Sequence, residues 1–410
     1  MLNDLLCDVN ICGVARRQRF IGVACFVAGL LVLCVCARCS KFKPARAFLS
    51  TLAVLLVAIS VFGSGALVVP VMLTLLPLFW CCPPVWYYLA NSLWCPMWGL
   101  CILVTEVFGG LRIVLYGDVP TPSETLLITP NHLSELDWVV VLGLAARCDA
   151  LAGVRFIMKA SLAKIPILGW GLALHHSVFI RSRPEGRAAT VSVAERAATV
   201  SADMDDIVAT VGSLTTHHSC QPCWIVIFAE GTRLIPTQHA KALEFAAQHG
   251  RQAYKYLLQP RAKGLASVLQ GGRPRLTHAL DLTIAYEGFA AECERNAKPS
   301  GLMDGLAHEQ IAHVLIRRVA LPDESDDVQA WLNGLWAEKE RALARWEHDG
   351  SFEAERFELT LPARPLSGSR AGVGRRAGMR SPAAPELTKS LLEPNCEMVP
   401  FNSLLCGNWR

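Results

Sequence analysis

Three observations predict an α/β fold with a mostly parallel sheet flanked by helices, preceded by transmembrane or membrane-embedded helices. After Glu106, short β-like runs alternate with helix-like ones, the order that favours parallel strands joined by helical crossovers. Between Arg46 and Glu106 no Asp, Glu, Lys or Arg occurs, and a membrane span needs only about 20 such apolar residues. The third is a polar run, Thr129-Pro130-Asn131-His132-Leu133-Ser134-Glu135-Leu136-Asp137-Trp138, directly after the apolar Leu126-Leu127-Ile128. It reads as a loop leaving the end of a strand, where open α/β sheets carry their sites.

The N-terminal part begins with an apolar run over residues 20–37, bounded by Arg16, Arg17 and Arg19 before it and Arg38, Lys41, Lys43 and Arg46 after it. Its length, its lack of a small-residue cleavage site and the basic residues that follow favour a retained span over a signal peptide. Basic residues on both sides leave its orientation open. Pro70, Pro77, Pro83, Pro84 and Pro96 break the next region. The expectation is one span within residues 48–70, continuing or kinking towards Trp80, and an apolar helix near residues 86–108. Trp80, Trp86, Tyr87, Tyr88, Trp94 and Trp98 cluster here, and such rings favour the membrane interface.

In the remainder, strands are expected at residues 125–129, 177–180, 224–228 and 281–286, and helices at 133–146, 188–214 and 237–256. Residues 160–174 are apolar but broken by Pro166 and Gly169-Trp170-Gly171, which suits a buried or membrane-facing loop. A Trp-rich helical segment covers about 321–352. The tail from about Pro362 has no apolar periodicity and reads as disordered.

Overall, 52% of the residues are hydrophobic, 18% are charged and the net charge is +4. That charge is too small to argue for nucleic acid and suits a lipid surface equally well. The sixteen cysteines do not form a disulfide framework; in apolar segments they serve as small hydrophobes. Cys36 and Cys39 sit where a span meets a basic segment, a setting suited to palmitoylation. His217-His218-Ser219-Cys220-Gln221-Pro222-Cys223 has zinc-ligand chemistry, but no second Cys-x-x-Cys lies nearby. It reads as a loop with buried thiols, and His175-His176 as a packed pair.

Several segments carry chemistry. A His beside an Asp that fixes its tautomer can deprotonate a hydroxyl, which singles out His132 and Asp137. Glu230-Gly231-Thr232-Arg233 ends a second strand with a tight turn, a hydroxyl and a planar cation that matches a phosphate. Pro260-Arg261-Ala262-Lys263-Gly264 places two cations on another loop. Lys159 precedes a Leu-x-x-x-Pro-x-x-Gly-Trp stretch, and Arg181 and Arg183 follow Phe179-Ile180. Taken alone, His132 and Asp137 could be ordinary loop residues, Glu-Gly-Thr-Arg an ion pair closing a turn, and Pro-Arg-x-Lys-Gly a basic surface turn.

Taken in order, Asn-His-x-Ser-x-x-Asp-Trp, Lys-x-x-Leu-x-x-x-Pro-x-x-Gly-Trp, Phe-Ile with arginines, Glu-Gly-Thr-Arg and Pro-Arg-x-Lys-Gly resemble the glycerolipid acyltransferase family. The resemblance is to its lysophosphatidic acid acyltransferase (1-acylglycerol-3-phosphate O-acyltransferase) branch. Leu321-Pro322, Trp331-Leu332, Trp336 and Glu338-Lys339 resemble the carboxyl-terminal extension of that branch. The resemblance implies an acyl-CoA-dependent O-acyltransferase that converts lysophosphatidic acid to phosphatidic acid, in the endoplasmic reticulum membrane. It implies His132 as base and Asp137 as its partner. Gly231, Thr232 and Arg233 would hold the acceptor's phosphate, with Glu230 positioning Arg233 or the loop. Lys159, Arg181, Arg183, Arg261 and Lys263 would be further anion contacts. Acyl-CoA is the co-substrate, and no metal or other cofactor is expected. The expected partners are acyl-CoA, the lysophospholipid acceptor and the lipid bilayer, with no nucleic acid.

The implied organisation is an N-terminal segment (1–47, span 20–37), membrane-embedded helices (48–108), an acyltransferase catalytic domain (109–300), a helical extension (301–353) and a tail (354–410). Ala229 stands where the family often has Pro, and Leu133 where this branch often has Arg. The arginines after Phe179-Ile180 straddle the family register. Two alternatives accompany the reading: another lysophospholipid acceptor, such as lysophosphatidylinositol or a lysocardiolipin, and a non-catalytic membrane scaffold.

Overall fold

The computed structural model describes residues 43–357 except 108, 121–123, 182–192, 216–221, 274 and 288–309. The expected span at 20–37, Cys36, Cys39, Arg183, residues 217–221 and the tail from Pro362 lie outside the described residues. The chain divides into Met1–Thr360 and Leu361–Arg410, and every described residue belongs to the first unit.

Three helices come first: α1 (Lys43–Leu75), α2 (Leu78–Cys81) and α3 (Pro83–Val107). The uncharged sequence runs through Pro70 without ending α1. Pro77 instead precedes α2, and Pro83 opens α3, where the missing N–H would have no helical partner in any case. Leu55–Leu75 and Pro83–Val107 are long and apolar enough to cross a membrane.

α3 is two-faced. Trp86, Ala90, Asn91, Trp94, Met97 and Trp98, at helical spacing, are buried, whereas Val85, Tyr88, Leu100 and Leu103 are exposed. The buried face is keyed to the following domain by specific contacts. Trp86 Nε1 donates to His176 Nε2 at 2.8 Å. Burial, helped by the nearby Arg155, pushes that imidazole down to about 3, so it is neutral and free to accept. Buried Arg155 donates to the Asn91 side-chain carbonyl. The Trp94 ring lies against Gly171, where a Cβ would collide with it. The Gly-Trp-Gly step thus has a packing reason, while Trp170 between the glycines is exposed.

The domain is built on one eight-stranded sheet, ordered β4-β3-β5-β2-β6-β7-β1-β8. The strands are β1 (Arg112–Gly117), β2 (Leu126–Pro130), β3 (Val154–Lys159), β4 (Val178–Ile180), β5 (Trp224–Ile227), β6 (His278–Tyr286), β7 (Ile311–Val319) and β8 (Arg356–Phe357). β4, β3, β5, β2 and β6 run parallel to one another, so their carboxyl ends share one edge. β7 is antiparallel to β6, β1 is parallel to β7, and β8 is antiparallel to β1. β2 and β5 are buried at every position, as expected of strands covered on both faces. The helices of the domain are α4 (Asp137–Arg147), α5 (Leu168–Leu174), α6 (Val193–Thr215), α7 (Pro236–Gln248), α8 (Ala262–Gly272) and α9 (Val328–Asp349).

The mostly parallel α/β sheet is as expected, with differences of detail. The segment 301–353, expected to be helical, supplies β7, which lies inside the sheet; Arg317 and Arg318 in its second half mask the strand pattern. β1 and β3 were not anticipated, because β1 follows an apolar helix without contrast and β3 includes Arg155. Helix α7 ends at Gln248 rather than near 256, and Gly250 turns the chain at φ +59.

Substituting Gly171→Ala forces a Cβ into the Trp94 ring, and overpacking of this kind costs about 1–3 kcal/mol. The expected outcome is a lower thermal midpoint for the full chain in detergent. An unchanged midpoint would show that α3 is not seated on Gly171.

Candidate active site

β2 ends at Pro130 while β6 continues beside it. Asn131 makes this divergence tolerable: its amide donates to the Ile284 carbonyl at 3.0 Å and accepts from the Ile284 N–H at 2.7 Å. The side chain thus takes the place of a strand residue, leaving no backbone group of β6 orphaned there. His132 is then turned out of the sheet.

The next five residues wrap around one carboxylate. Asp137 is fully buried. Its Oδ2 accepts from His132 Nδ1 at 2.9 Å, from Leu133 N–H at 2.7 Å and from Ser134 N–H at 2.9 Å. Its Oδ1 accepts from the Tyr286 hydroxyl at 2.6 Å. Four donors replace the water that a buried carboxylate has lost. This wrapping is also why α4 begins at Asp137 and not at 133 as expected. The carboxylate can only accept, so Nδ1 of His132 carries the ring proton and Nε2 keeps a lone pair. The His132 side chain is 22% exposed, and its ring lies 4.4 Å from that of Phe228.

The turn after β5 approaches from the other side. Gly231 has φ +73, and its N–H donates to the Phe228 carbonyl at 2.9 Å, a conformation suited to glycine. Glu230 is 1% exposed and accepts from the His132 N–H at 3.3 Å. Burial pushes its carboxyl well above the ordinary range, opposed by hydrogen bonds from the His132 and Leu258 backbones. Leu234 N–H donates to the His132 carbonyl at 2.8 Å. His132 is therefore held at both backbone groups by the Glu-Gly-Thr-Arg turn.

Arg233 pairs with Glu135 at 2.8 Å, both partly exposed. Glu230 points inward to the His132 backbone, and the carboxylate that meets Arg233 is that of Glu135. Arg261 joins the same turn. Its N–H donates to the Ala229 carbonyl at 2.9 Å, and its guanidinium lies about 3.3 Å from where a Gly231 Cβ would sit. Gln329 of α9 brackets Arg261, accepting from Ala262 N–H and donating to the Pro260 carbonyl, each at 3.3 Å.

The structure thus brings His132, Asp137, Glu230, Gly231, Thr232, Arg233 and Arg261 together. Lys263 lies in the first turn of α8. Lys159 ends β3, exposed, on the same sheet edge. Arg181 follows β4 and is engaged by two carboxylates of α6, Asp203 at 2.6 Å and Asp206 at 3.3 Å. Leu133 is buried. Cys223 is buried as well, and burial pushes its thiol up to about 11.

Tyr286 was missed in the sequence. The signal was present, because strand alternation puts it on the same face as Ile284 and Leu282 at the end of β6, beside the strand that carries His132.

The acyltransferase family model matches residues 112–270. The mouse (Mus musculus) 1-acyl-sn-glycerol-3-phosphate acyltransferase epsilon is 29% identical over 62% of this chain and 66% of its own length. The zebrafish (Danio rerio) lysocardiolipin acyltransferase 1 is 29% identical over 70% of this chain and 68% of its own. The human (Homo sapiens) 1-acyl-sn-glycerol-3-phosphate acyltransferase gamma is 26% identical over 67% of each. The chain thus spans about two thirds of the length of the curated relatives it matches. The crystal structure of a Thermotoga maritima 1-acyl-sn-glycerophosphate (LPA) acyltransferase aligns at 16% identity over 64% of this chain and 96% of its own, with a TM-score of 0.34. Residues 112–270 are a domain of the acyltransferase family, in a chain similar to 1-acyl-sn-glycerol-3-phosphate and lysocardiolipin acyltransferases.

Proposed function

We propose that this chain is a membrane-bound, acyl-CoA-dependent O-acyltransferase that converts lysophosphatidic acid to phosphatidic acid. One observation carries the reading: an aspartate-held imidazole, His132, is tied through its own backbone to the turn bearing Arg233. A base and an anion site thus share one framework.

In this reading Nε2 of His132 takes the proton of the acceptor's sn-2 hydroxyl as that oxygen attacks the thioester carbonyl. The C–O bond forms, the C–S bond breaks, and the proton passes from His132 to the departing thiolate. Asp137 balances the charge of the imidazolium and fixes its tautomer. Base assistance of this kind is worth about 10²–10⁴ in rate. Arg233, Arg261, the Thr232 hydroxyl and the Gly231 backbone receive the acceptor's phosphate. Lys159 and Lys263 offer further cations to the phosphates of either substrate, and Arg181 would have to leave its acidic partners to do so. The exposed faces of α1 and α3, with Trp170, would rest in lipid, in the endoplasmic reticulum by family expectation. In this organisation residues 48–108 anchor the catalytic domain.

A second acceptor class is favoured by one feature. Leu133, where the branch often has Arg, is buried and gives the head group no contact. Lysocardiolipin or lysophosphatidylinositol would then compete with lysophosphatidic acid. The ordered His132–Asp137 geometry weighs against a non-catalytic scaffold.

A panel of lysophospholipid acceptors with acyl-CoA and the purified chain in detergent tests this reading. Preference for lysophosphatidic acid, with a KM raised about tenfold or more in Arg233→Ala, is the expected result, since a charged hydrogen bond contributes roughly 1.5–3 kcal/mol. Preference for another lysophospholipid would overturn the narrower claim. An unchanged KM would remove Arg233 from the phosphate site.

Glu135 competes with the phosphate for Arg233. Glu135→Gln is therefore expected to lower the KM for the acceptor a few-fold, as suits a partly exposed pair worth roughly 0–1 kcal/mol, and to leave kcat unchanged. Steady-state kinetics would show a raised KM if Glu135 instead holds Arg233 in its binding position.

A further inference from the structure

Helix α9, which lies beyond the 112–270 match, carries one lysine into the interior. Lys339 has no solvent exposure. Its ammonium donates to the Thr129 carbonyl at 3.0 Å and the Leu282 carbonyl at 2.5 Å, and pairs with Asp281 Oδ1 at 2.6 Å. An ammonium has three donors, and all three are used. Asp281, equally buried, also accepts from the Thr129 hydroxyl at 3.2 Å and from Arg317.

These oxygens belong to the two strand ends that build the active site. Thr129 lies three residues before His132 on β2. Leu282 is paired with Pro130 from β6, and the same strand goes on to Ile284, which holds Asn131, and to Tyr286, which holds Asp137. The Lys339 charge also acts on buried Glu230, the acceptor of the His132 N–H. Stability alone explains the pair poorly, because apolar groups of similar volume often do as well as a buried ion pair.

We propose that Lys339 is a positioning residue for acyl transfer: it clamps the ends of β2 and β6 together and so sets the place from which His132 reaches the acceptor. The C-terminal helix is then part of the active-site framework, not an appendage to it. This inference rests on the reading of His132 as the base.

The test compares the full-length wild type with Lys339→Met and with the double variant Asp281→Asn/Lys339→Met, which removes both members of the pair. Arg317 keeps Glu338 as a partner in the double variant. Thermal midpoint, kcat and the KM for lysophosphatidic acid are measured for each. The single variant is expected to lose stability. The double variant is expected to regain most of the midpoint while kcat stays about 10²-fold below wild type, the size of loss that roughly 1 Å of misplacement produces, with KM little changed. Recovery of kcat together with the midpoint would overturn the proposal. So would a change confined to KM, or failure of both variants to fold, either of which would assign Lys339 to another role. If the wild type transfers no acyl group to any lysophospholipid, the reading of His132 falls and this inference with it. If the wild type turns over, the variants decide Lys339 alone.

Discussion

The buried carboxylate of Asp137 is the contact on which the rest of the site depends. It has no exposure and four donors: the His132 ring, two backbone N–H groups of the loop it closes, and the Tyr286 hydroxyl from the neighbouring strand. A carboxylate taken out of water costs several kcal/mol unless donors meet it, so the loop, the ring and the strand end are held in one arrangement or not at all. The same contact fixes where α4 begins and which nitrogen of His132 faces outward. Burial, followed by the charge of Asp137, pushes the Tyr286 hydroxyl well above its ordinary value, which keeps it a donor.

Around this centre the site is a set of ties between elements far apart in the chain. Glu230 and Leu234 hold the two backbone groups of His132. Gln329 brackets Arg261 from α9, and Glu340, on the same helix, accepts from the Lys255 and Tyr256 backbones of the loop leading to it. Helix α3 is likewise keyed into the domain through Trp86, Asn91 and Trp94. A helix seated by such contacts cannot slide freely against the domain.

What could be read from the sequence follows the range of the interactions. His132 and Asp137 are five residues apart and meet within one loop; the Glu-Gly-Thr-Arg turn is contiguous, and its glycine has the positive φ that the pattern suggested. The parallel sheet was legible because β2, β4 and β5 are short apolar runs separated by helical lengths. Partners contributed from a distance were not. Tyr286 reaches Asp137 across 149 residues and Lys339 reaches Thr129 across 210, and a buried lysine has no signature in a charged helix such as Trp336–Arg341. Glu230 was expected to position Arg233 or the loop; it holds the loop through the His132 N–H, while Arg233 goes to Glu135. Arg181 looked like a free cation because the two aspartates of α6 that hold it follow more than twenty residues later.

The most direct measurement is the single-turnover rate of acyl transfer from acyl-CoA to lysophosphatidic acid by His132→Ala, read alongside its thermal midpoint and membrane binding. A general base held by Asp137 predicts a rate about 10²–10⁴-fold below wild type in a protein that folds and binds membranes as before. Transfer at the wild-type rate by that variant would contradict it.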